Sequence, residues 1–131
     1  MTKKILLASA VAIAMSLGNA AAFAGANDYT FESTKAEWKK GDDVVVALRL
    51  THKATGKPVS DAVIVRTRID MAPDNMADMV SPVAAVPSSE PGVYAFKTDL
   101  PMAGRYMFSI GAKVQGEAET VVGKVILKAV K

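Results

Sequence analysis

The chain has no cysteine and only one histidine, His52, among its 131 residues. The lack of cysteine excludes disulfides, thiolate metal ligands and thiol nucleophiles. A serine nucleophile would need a histidine base beside it, and the sequence has no Gly-x-Ser-x-Gly turn to present one. A glycine-rich phosphate loop is also missing, and the acidic pair Glu117 and Glu119 lies in a turn without other polar groups around it. We therefore expect that the protein is not an enzyme and requires no cofactor.

The sequence also lacks an apolar run long enough to cross a membrane. The run at residues 5–17 has 13 residues, whereas a membrane-spanning helix needs about 20. Lys3 and Lys4 precede it, and Ala22 and Ala24 follow it in an Ala-x-Ala arrangement. This order is typical of a cleavable secretory signal. We predict a signal peptide over residues 1–24 and one exported domain over residues 25–131, without membrane insertion after cleavage.

An excess of positive charge is largely absent from the predicted mature domain. The whole chain has a formal net charge of +3, but two of its 16 basic residues, Lys3 and Lys4, belong to the predicted signal. The remaining 14 basic residues face 13 acidic ones, which leaves +1. A nucleic-acid-binding protein would need lysines and arginines clustered on one face. The sequence therefore gives no indication of a nucleic-acid partner.

Helix-period apolar patterns are missing after residue 25, and short alternating runs separated by turn residues take their place. The alternation predicts an all-β, immunoglobulin-like β-sandwich of about seven strands, whose order the sequence does not give. The predicted strands are residues 29–34, 43–51, 62–71, 82–86, 92–100, 105–114 and 120–130.

The phase of each run predicts which side chains face the core. In the third strand, the inward set is Val63, Val65, Ile69 and Met71, and the outward set is Ile64, Arg66, Arg68 and Asp70. For the other strands, the predicted inward residues are Val44, Val46, Leu48, Leu50, Tyr94, Phe96, Leu100, Tyr106, Phe108, Ile110, Val121, Val125 and Leu127.

Methionines of the exported part fall in two short segments, DMAPDNMADM and PMAGRYM. Met71 continues the inward face of its strand and is expected to fill core space. Met76 and Met79 are placed in a loop, Met102 in a turn, and Met107 on an outward phase. Thioether sulfur selects Cu(I) and Ag(I) over hard cations. These five residues are therefore candidate soft-metal ligands; the alternative is that the methionine loop caps an open end of the sandwich.

Other candidate ligands have simpler explanations. His52 follows the second strand near a turn and is expected to lie on the surface, with an accessory role toward copper as the alternative. Asp70, Asp74 and Asp78 recur every four residues, but they lack the alternate spacing and the glycine of a calcium loop, so we interpret them as solvated charge. Trp38 is expected to cover an end of the core, with a cation-π or partner contact as its alternative.

Two segments, TGKPVSDAVIVRTRIDMAPDNMADM and SSEPGVYAFKTDLPMAGRYMFSIGAKVQGEAETVVGKVIL, carry a family resemblance. They share a Gly-Lys-Pro turn leading into a strand, a following methionine segment, a strand start at residues 91–94 and an Ala-Gly-Arg-Tyr start at residues 103–106. In these features the chain resembles the YtkA-like or FixH-like family of small exported bacterial domains. The resemblance implies an immunoglobulin-like fold, a periplasmic location and an association with copper handling or heavy-metal efflux.

Two functions remain open at this stage. In the first, the domain binds Cu(I) or Ag(I) weakly through its methionines and passes the ion to a membrane efflux or metal-transport component, or to an assembly partner. In the second, the same methionine segment docks an exported or membrane protein without any metal, because flexible methionine side chains also suit adaptable protein contacts.

Overall fold

The computed structural model describes residues 28–131, and the predicted signal peptide lies outside these described residues. The nine strands of the described part are β1 (Tyr29–Ser33), β2 (Trp38–Lys39), β3 (Gly41–His52), β4 (Val63–Met71), β5 (Met76–Ser81), β6 (Val83–Val86), β7 (Val93–Leu100), β8 (Gly104–Lys113) and β9 (Val121–Val130). A 3₁₀ turn, Ala72–Asp74, separates β4 from β5. Residues 28–131 contain no helix long and apolar enough to span a membrane.

The strands form two sheets that pack face to face. One sheet has the order β1-β3-β7-β6, and the other has the order β2-β9-β8-β4-β5. Neighbouring strands are antiparallel except for β2 and β9, which are parallel. This arrangement confirms the predicted immunoglobulin-like β-sandwich. The seven predicted strands are all present, and the sequence prediction missed β2 and β5.

The core lies between the two sheets and follows the alternation of the strands. The predicted inward residues of β3, β7, β8 and β9 are buried or packed against buried neighbours. Phe96 of one sheet meets Phe108 of the other edge to face, with ring centroids 5.0 Å apart. Aromatic pairs in this geometry add stability beyond the area that they bury.

The predicted phase of β4 is wrong in its first half. Val63 and Val65 were expected to face the core, but they are 62% and 49% exposed, and Ile64 packs against the core instead. The cause is a shift in the pairing of β4 with β8: Ile64 pairs with Ala112, whereas Arg66 pairs with Gly111. Val65 is thus an extra residue, and a bulge of this kind reverses the face on which preceding side chains lie.

Trp38 covers one end of the core, as predicted. Its ring is buried, and its Nε1 donates a hydrogen bond of 3.0 Å to Oγ of Ser33. The Lys35 ammonium lies 4.6 Å from the centre of the same ring. The short strand β2 holds the tryptophan in place by pairing with the end of β9.

Candidate metal centre at the β4–β5 edge

The two segments that flank the 3₁₀ turn bring methionines together. β4 ends at Met71, and β5 begins at Met76, its register partner across the two strands. Asn75 allows the reversal by adopting a left-handed conformation, with φ of 63°, and its N–H donates to the carbonyl oxygen of Ala72 at 2.9 Å. Asparagine tolerates this conformation better than most residues. Met76 and Met79 therefore lie on an edge strand, which corrects the prediction of a loop.

Asp74 fastens this turn to β8. One of its carboxylate oxygens accepts the backbone N–H of Arg105, and the other accepts Nε–H of the same residue, both at 2.9 Å. The Arg105 guanidinium also donates to the carbonyl oxygen of Pro73 at 2.7 Å. The backbone hydrogen bond from Arg105, followed by its side chain, lowers the pKa of Asp74. The turn is thus fixed against the strand that carries Tyr106.

Both carboxylate oxygens of Asp70 also accept hydrogen bonds from within the protein. Its side chain accepts a hydrogen bond of 2.7 Å from Nε–H of Arg68 and one of 2.9 Å from the backbone N–H of Ala72. The hydrogen bond from Arg68 is the main reason that the pKa of Asp70 is lowered. Arg68 in turn donates to the carbonyl oxygen of Ala77 at 3.0 Å, which ties the start of β5 to β4.

These ion pairs correct the expectation that all three aspartates are solvated, because Asp70 is buried and only Asp78 is exposed without a partner among the described residues. Within residues 28–131, no group of three or more histidine, cysteine or acidic side chains is placed to hold a metal ion. A hard-cation site at this edge therefore has no support.

A cavity of about 190 Å³ opens between the methionines and β8. Met71 forms part of its wall and is only 1% exposed, whereas Met79 is 44% exposed. The hydroxyl of Tyr106, another wall residue, donates to the carbonyl oxygen of Met102 and accepts the N–H of the same residue. The remaining wall residues are Asp78, Val80, Ser81 and Pro101.

Close packing beside this cavity depends on Gly104. Its φ is 151°, and a Cβ atom at this position would lie 2.8 Å from both the Met71 Cε and the Asp74 Oδ2. The backbone conformation thus favours glycine where β8 begins, and any larger residue would also displace the ends of the Met71 and Asp74 side chains.

The family model described as YtkA-like matches residues 23–111, which include all five candidate methionines. The chain belongs to the YtkA-like family. No curated protein matches it. Seven chains among solved structures match, including one titled "ZirS C-terminal Domain". That structure is 13% identical, with a TM-score of 0.42, and the alignment covers 78% of this chain and 66% of the other, just under two thirds of its length.

The remaining two candidate methionines of this YtkA-like domain, Met102 and Met107, are not part of the cavity wall. Met107 pairs with Asp70 and Ile126 in an outward row, on the opposite side of the sheet from Met71. Met102 precedes β8 next to the wall residue Pro101, and its own side chain is exposed and does not line the cavity. The structure thus brings Met71 and Met79 together, with Met76 beside Met71 and Met102 nearby, and it leaves Met107 apart.

His52 lies at the other end of the sandwich. It ends β3, whereas Gly41 at the start of that strand pairs with Leu100, which leads into Pro101. The length of β3 places these ends on the order of 30 Å apart. The His52 ring meets Tyr29 edge to face, with centroids 5.1 Å apart, and its Nδ1 lies 3.2 Å from Oγ1 of Thr55. This geometry separates His52 from the methionines.

A second, larger cavity of about 340 Å³ lies away from the methionines, between β4, β6 and β7. Tyr94 in its wall donates a hydrogen bond of 2.6 Å to the carbonyl oxygen of Val59 and accepts the N–H of Ala62 at 3.1 Å. Burial raises the pKa of this tyrosine. Glu90 at the same cavity forms an ion pair with Arg49. Tyr94 and Glu90 therefore stabilise the surrounding loops, and the other polar wall residues, Ser60, Ser88 and Ser89, have no histidine beside them in the wall.

Sequence reasoning missed the two ion pairs that hold the methionine turn. Asp74 and Arg105 are 31 positions apart, so no local spacing links them. One local signal was present, because Pro73, Asp74 and Asn75 are residues that favour a tight turn. That signal indicated a short connection between two strands and not a long loop.

Proposed function

We propose that this YtkA-like domain is a periplasmic accessory protein that holds Cu(I) or Ag(I) weakly at the β4–β5 edge and passes the ion to an efflux or assembly partner. The proposal rests on one observation, that Met71 and Met79 line the same cavity. Met76, the register partner of Met71, is the candidate for a third thioether ligand, although it is not part of the cavity wall. The family resemblance, which implies copper handling, points in the same direction.

The chemistry of the cavity favours a soft monovalent ion. Cu(I) accepts two or three neutral sulfur ligands, whereas hard cations need several oxygen ligands. Asp70 and Asp74 are occupied by arginines, and the Tyr106 hydroxyl is bonded to the Met102 backbone. Asp78 in the wall has no ion-pair partner among the described residues, but one carboxylate does not supply the several oxygen ligands that a hard cation needs, whereas two thioethers suffice for Cu(I).

The exposure of the ligands suits transfer better than storage. Met79 is partly in solvent, while Met71 is fixed in the core, so an incoming ion would meet Met79 first and Met71 after it. Met102, exposed and adjacent in the chain to the wall residue Pro101, is the candidate for a further ligand during arrival or departure. A site built from neutral thioethers holds its ion without charge compensation, which keeps the affinity low enough for release.

The test is an anaerobic titration of the protein with Cu(I) in competition with a chromophoric chelator. Met79→Leu keeps the apolar side chain but removes the sulfur, and Met107→Leu makes the same change outside the cavity. We expect one-to-one binding that is lost in the Met76→Leu/Met79→Leu variant and retained in Met107→Leu. A protein that takes no Cu(I) from the chelator, or a Met107→Leu variant as impaired as the double variant, would contradict the proposal.

A second candidate function is metal-free docking of an exported or membrane protein at the same edge. It is favoured by the exposure of Met79, Val80 and Met102, three large apolar side chains near one cavity. Leucine at positions 76 and 79 preserves apolar contact, so a docking surface would survive the double substitution. Docking would be favoured if the double variant still binds an exported or membrane partner protein and the unmodified protein binds no Cu(I).

A further inference from the structure

The outer face of the five-stranded sheet collects cationic side chains. Register pairing places Arg68 and Lys124 in one row across β4, β8 and β9, and it pairs Arg105 with Lys128 in another. A third outward row, Asp70, Met107 and Ile126, lies between these two, and the rows that alternate with the three face the core. We call this surface the basic face. Its cations are Arg66, Arg68, Arg105, Lys113, Lys124 and Lys128.

Half of these cations have no acidic partner. Arg68, Arg105 and Lys128 form ion pairs with Asp70, Asp74 and Glu37. In contrast, no carboxylate of residues 28–131 lies within 4.0 Å of the charged groups of Arg66, Lys113 and Lys124, the three free cations. The basic face thus carries three unpaired positive charges, and one unpaired acidic residue, the exposed Asp78 of β5, lies at its edge near Val80.

Aliphatic side chains are interleaved with the cations. Val122 of β9 is 59% exposed and lies in the row of Arg66, and Ile126 is 46% exposed and lies between Lys124 and Lys128 along the strand. Val63 and Val80 extend the exposed apolar surface to β4 and β5. Four of the eight large hydrophobic side chains that are exposed in the described residues therefore belong to this one face.

The opposite face of the sandwich lacks this combination. Its outward positions on β1, β3 and β7 include Arg49 and Lys97, but Glu32 and Asp99 balance them. The unpaired positive charge and most of the exposed aliphatic side chains therefore lie on the sheet that also carries the methionine edge, whereas Val45, 52% exposed, lies on the other sheet.

We propose that the basic face is a surface for peripheral binding to an anionic lipid bilayer. Peripheral binding to membranes combines apolar contact with electrostatic attraction to acidic headgroups. Long lysine and arginine side chains can bend sideways, so that their charges stay with the phosphates while their methylene stems and the aliphatic side chains between them contact the apolar region. The three free cations supply the attraction, and Val63, Val122 and Ile126 supply the apolar contact.

A bilayer fits this face better than a protein or a nucleic acid. The outward rows of β4, β8 and β9 bear no aromatic side chain, whereas protein hot spots are enriched in tryptophan and tyrosine. The same absence removes the stacking surfaces that single-stranded nucleic acids use. A bilayer surface requires only positive charge, exposed aliphatics and a broad open face, and all three are present here.

The test uses the protein isolated from cells that express the full chain. Binding is measured by co-sedimentation with vesicles of phosphatidylglycerol mixed with phosphatidylcholine, and with vesicles of phosphatidylcholine alone. The variant Arg66→Glu/Lys124→Glu reverses two free cations, and the control Lys57→Glu/Lys97→Glu makes the same change of charge elsewhere. All four side chains are exposed, so both variants are expected to unfold at the temperature of the unmodified protein.

We expect binding to the acidic vesicles that weakens with added salt and falls about tenfold or more in the Arg66/Lys124 variant, but not in the control. No binding of the unmodified protein, or equal loss in both variants, would overturn the proposal. Binding to polyglutamate in place of vesicles, lost only in the Arg66/Lys124 variant, would also overturn it and would assign the face to an acidic polypeptide. Cu(I) binding is measured separately, so failure of one proposal does not imply failure of the other.

Discussion

Asp74 holds Arg105 by two hydrogen bonds of 2.9 Å, one from the backbone N–H and one from Nε–H. This pair connects the turn between β4 and β5 to the beginning of β8. Its position matters because the turn carries Met71 on one side and Met76 on the other. The geometry of the proposed soft-metal site therefore depends on an ion pair whose members are not ligands.

The first prediction concerns acid stability. The pKa of Asp74 is lowered in the folded protein by the hydrogen bonds from Arg105. Its contribution to stability is therefore fully present above the unfolded pKa of about 3.9 and is lost as the pH falls through the lower folded pKa. We expect Asp74→Asn to lower the free energy of unfolding at pH 7 and to have little effect at pH 2. Urea denaturation at both pH values measures this difference, and an equal effect at the two would contradict it.

The second prediction concerns Gly104. Alanine here would bring Cβ to 2.8 Å from the Met71 Cε and would add strain at a φ of 151°. We expect Gly104→Ala to lower the free energy of unfolding by about 1–3 kcal/mol. Gly56→Ala is the comparison, because Gly56 has a φ of 69°, which a side chain adopts at lower cost, and no atom lies within 4 Å of its added Cβ. Urea denaturation measures both variants, and a loss in Gly104→Ala no larger than that in Gly56→Ala would contradict the prediction.

The third prediction separates the structural and ligand roles of two methionines. Met71 is buried in the main core, so Met71→Ala should lower the free energy of unfolding by about 2–5 kcal/mol. Met79 is nearly half exposed, so Met79→Leu should change it by less than about 0.5 kcal/mol. Thermal and urea denaturation measure both variants. A large loss in Met79→Leu would show that its side chain serves mainly as packing.

The fourth prediction tests the bulge in β4. Ile64 packs against the core, whereas its neighbour Val65 is exposed. We expect Ile64→Ala to lower the free energy of unfolding by about 1–3 kcal/mol and Val65→Ala to change it by less than about 0.5 kcal/mol. Chemical denaturation of the two variants measures the contrast. A larger loss of stability in Val65→Ala than in Ile64→Ala would support the strand phase predicted from the sequence alone.

Most of the fold could be predicted because its strands follow a simple period. In β3, Val46, Leu48 and Leu50 alternate with polar or smaller residues, so the buried face is determined by position along the strand. β8 and β9 behave in the same way. β4 does not, because the bulge at Val65 arises from its pairing with β8, and pairing is not encoded in the local alternation.

The candidate site could be predicted only in part for the same reason. Composition and spacing identified the methionines, and strand phase correctly placed Met71 in the core. Met79 has its position because β5 pairs with the end of β4, and β5 was missed since its six residues, MADMVS, show no clear alternation. The sequence therefore indicated which residues could bind a soft ion but not which of them meet.

The sequence by itself determined the chemistry available to this protein: no thiol, one histidine, thioethers in two segments and nearly balanced charge. Only the tertiary structure decided how these groups are distributed. Sheet pairing separated Met107 and His52 from the cavity, joined Asp74 to Arg105, and aligned six distant cations on one face. Side-chain type is a local property, whereas neighbourhood across a sheet depends on register between strands that are far apart in the chain.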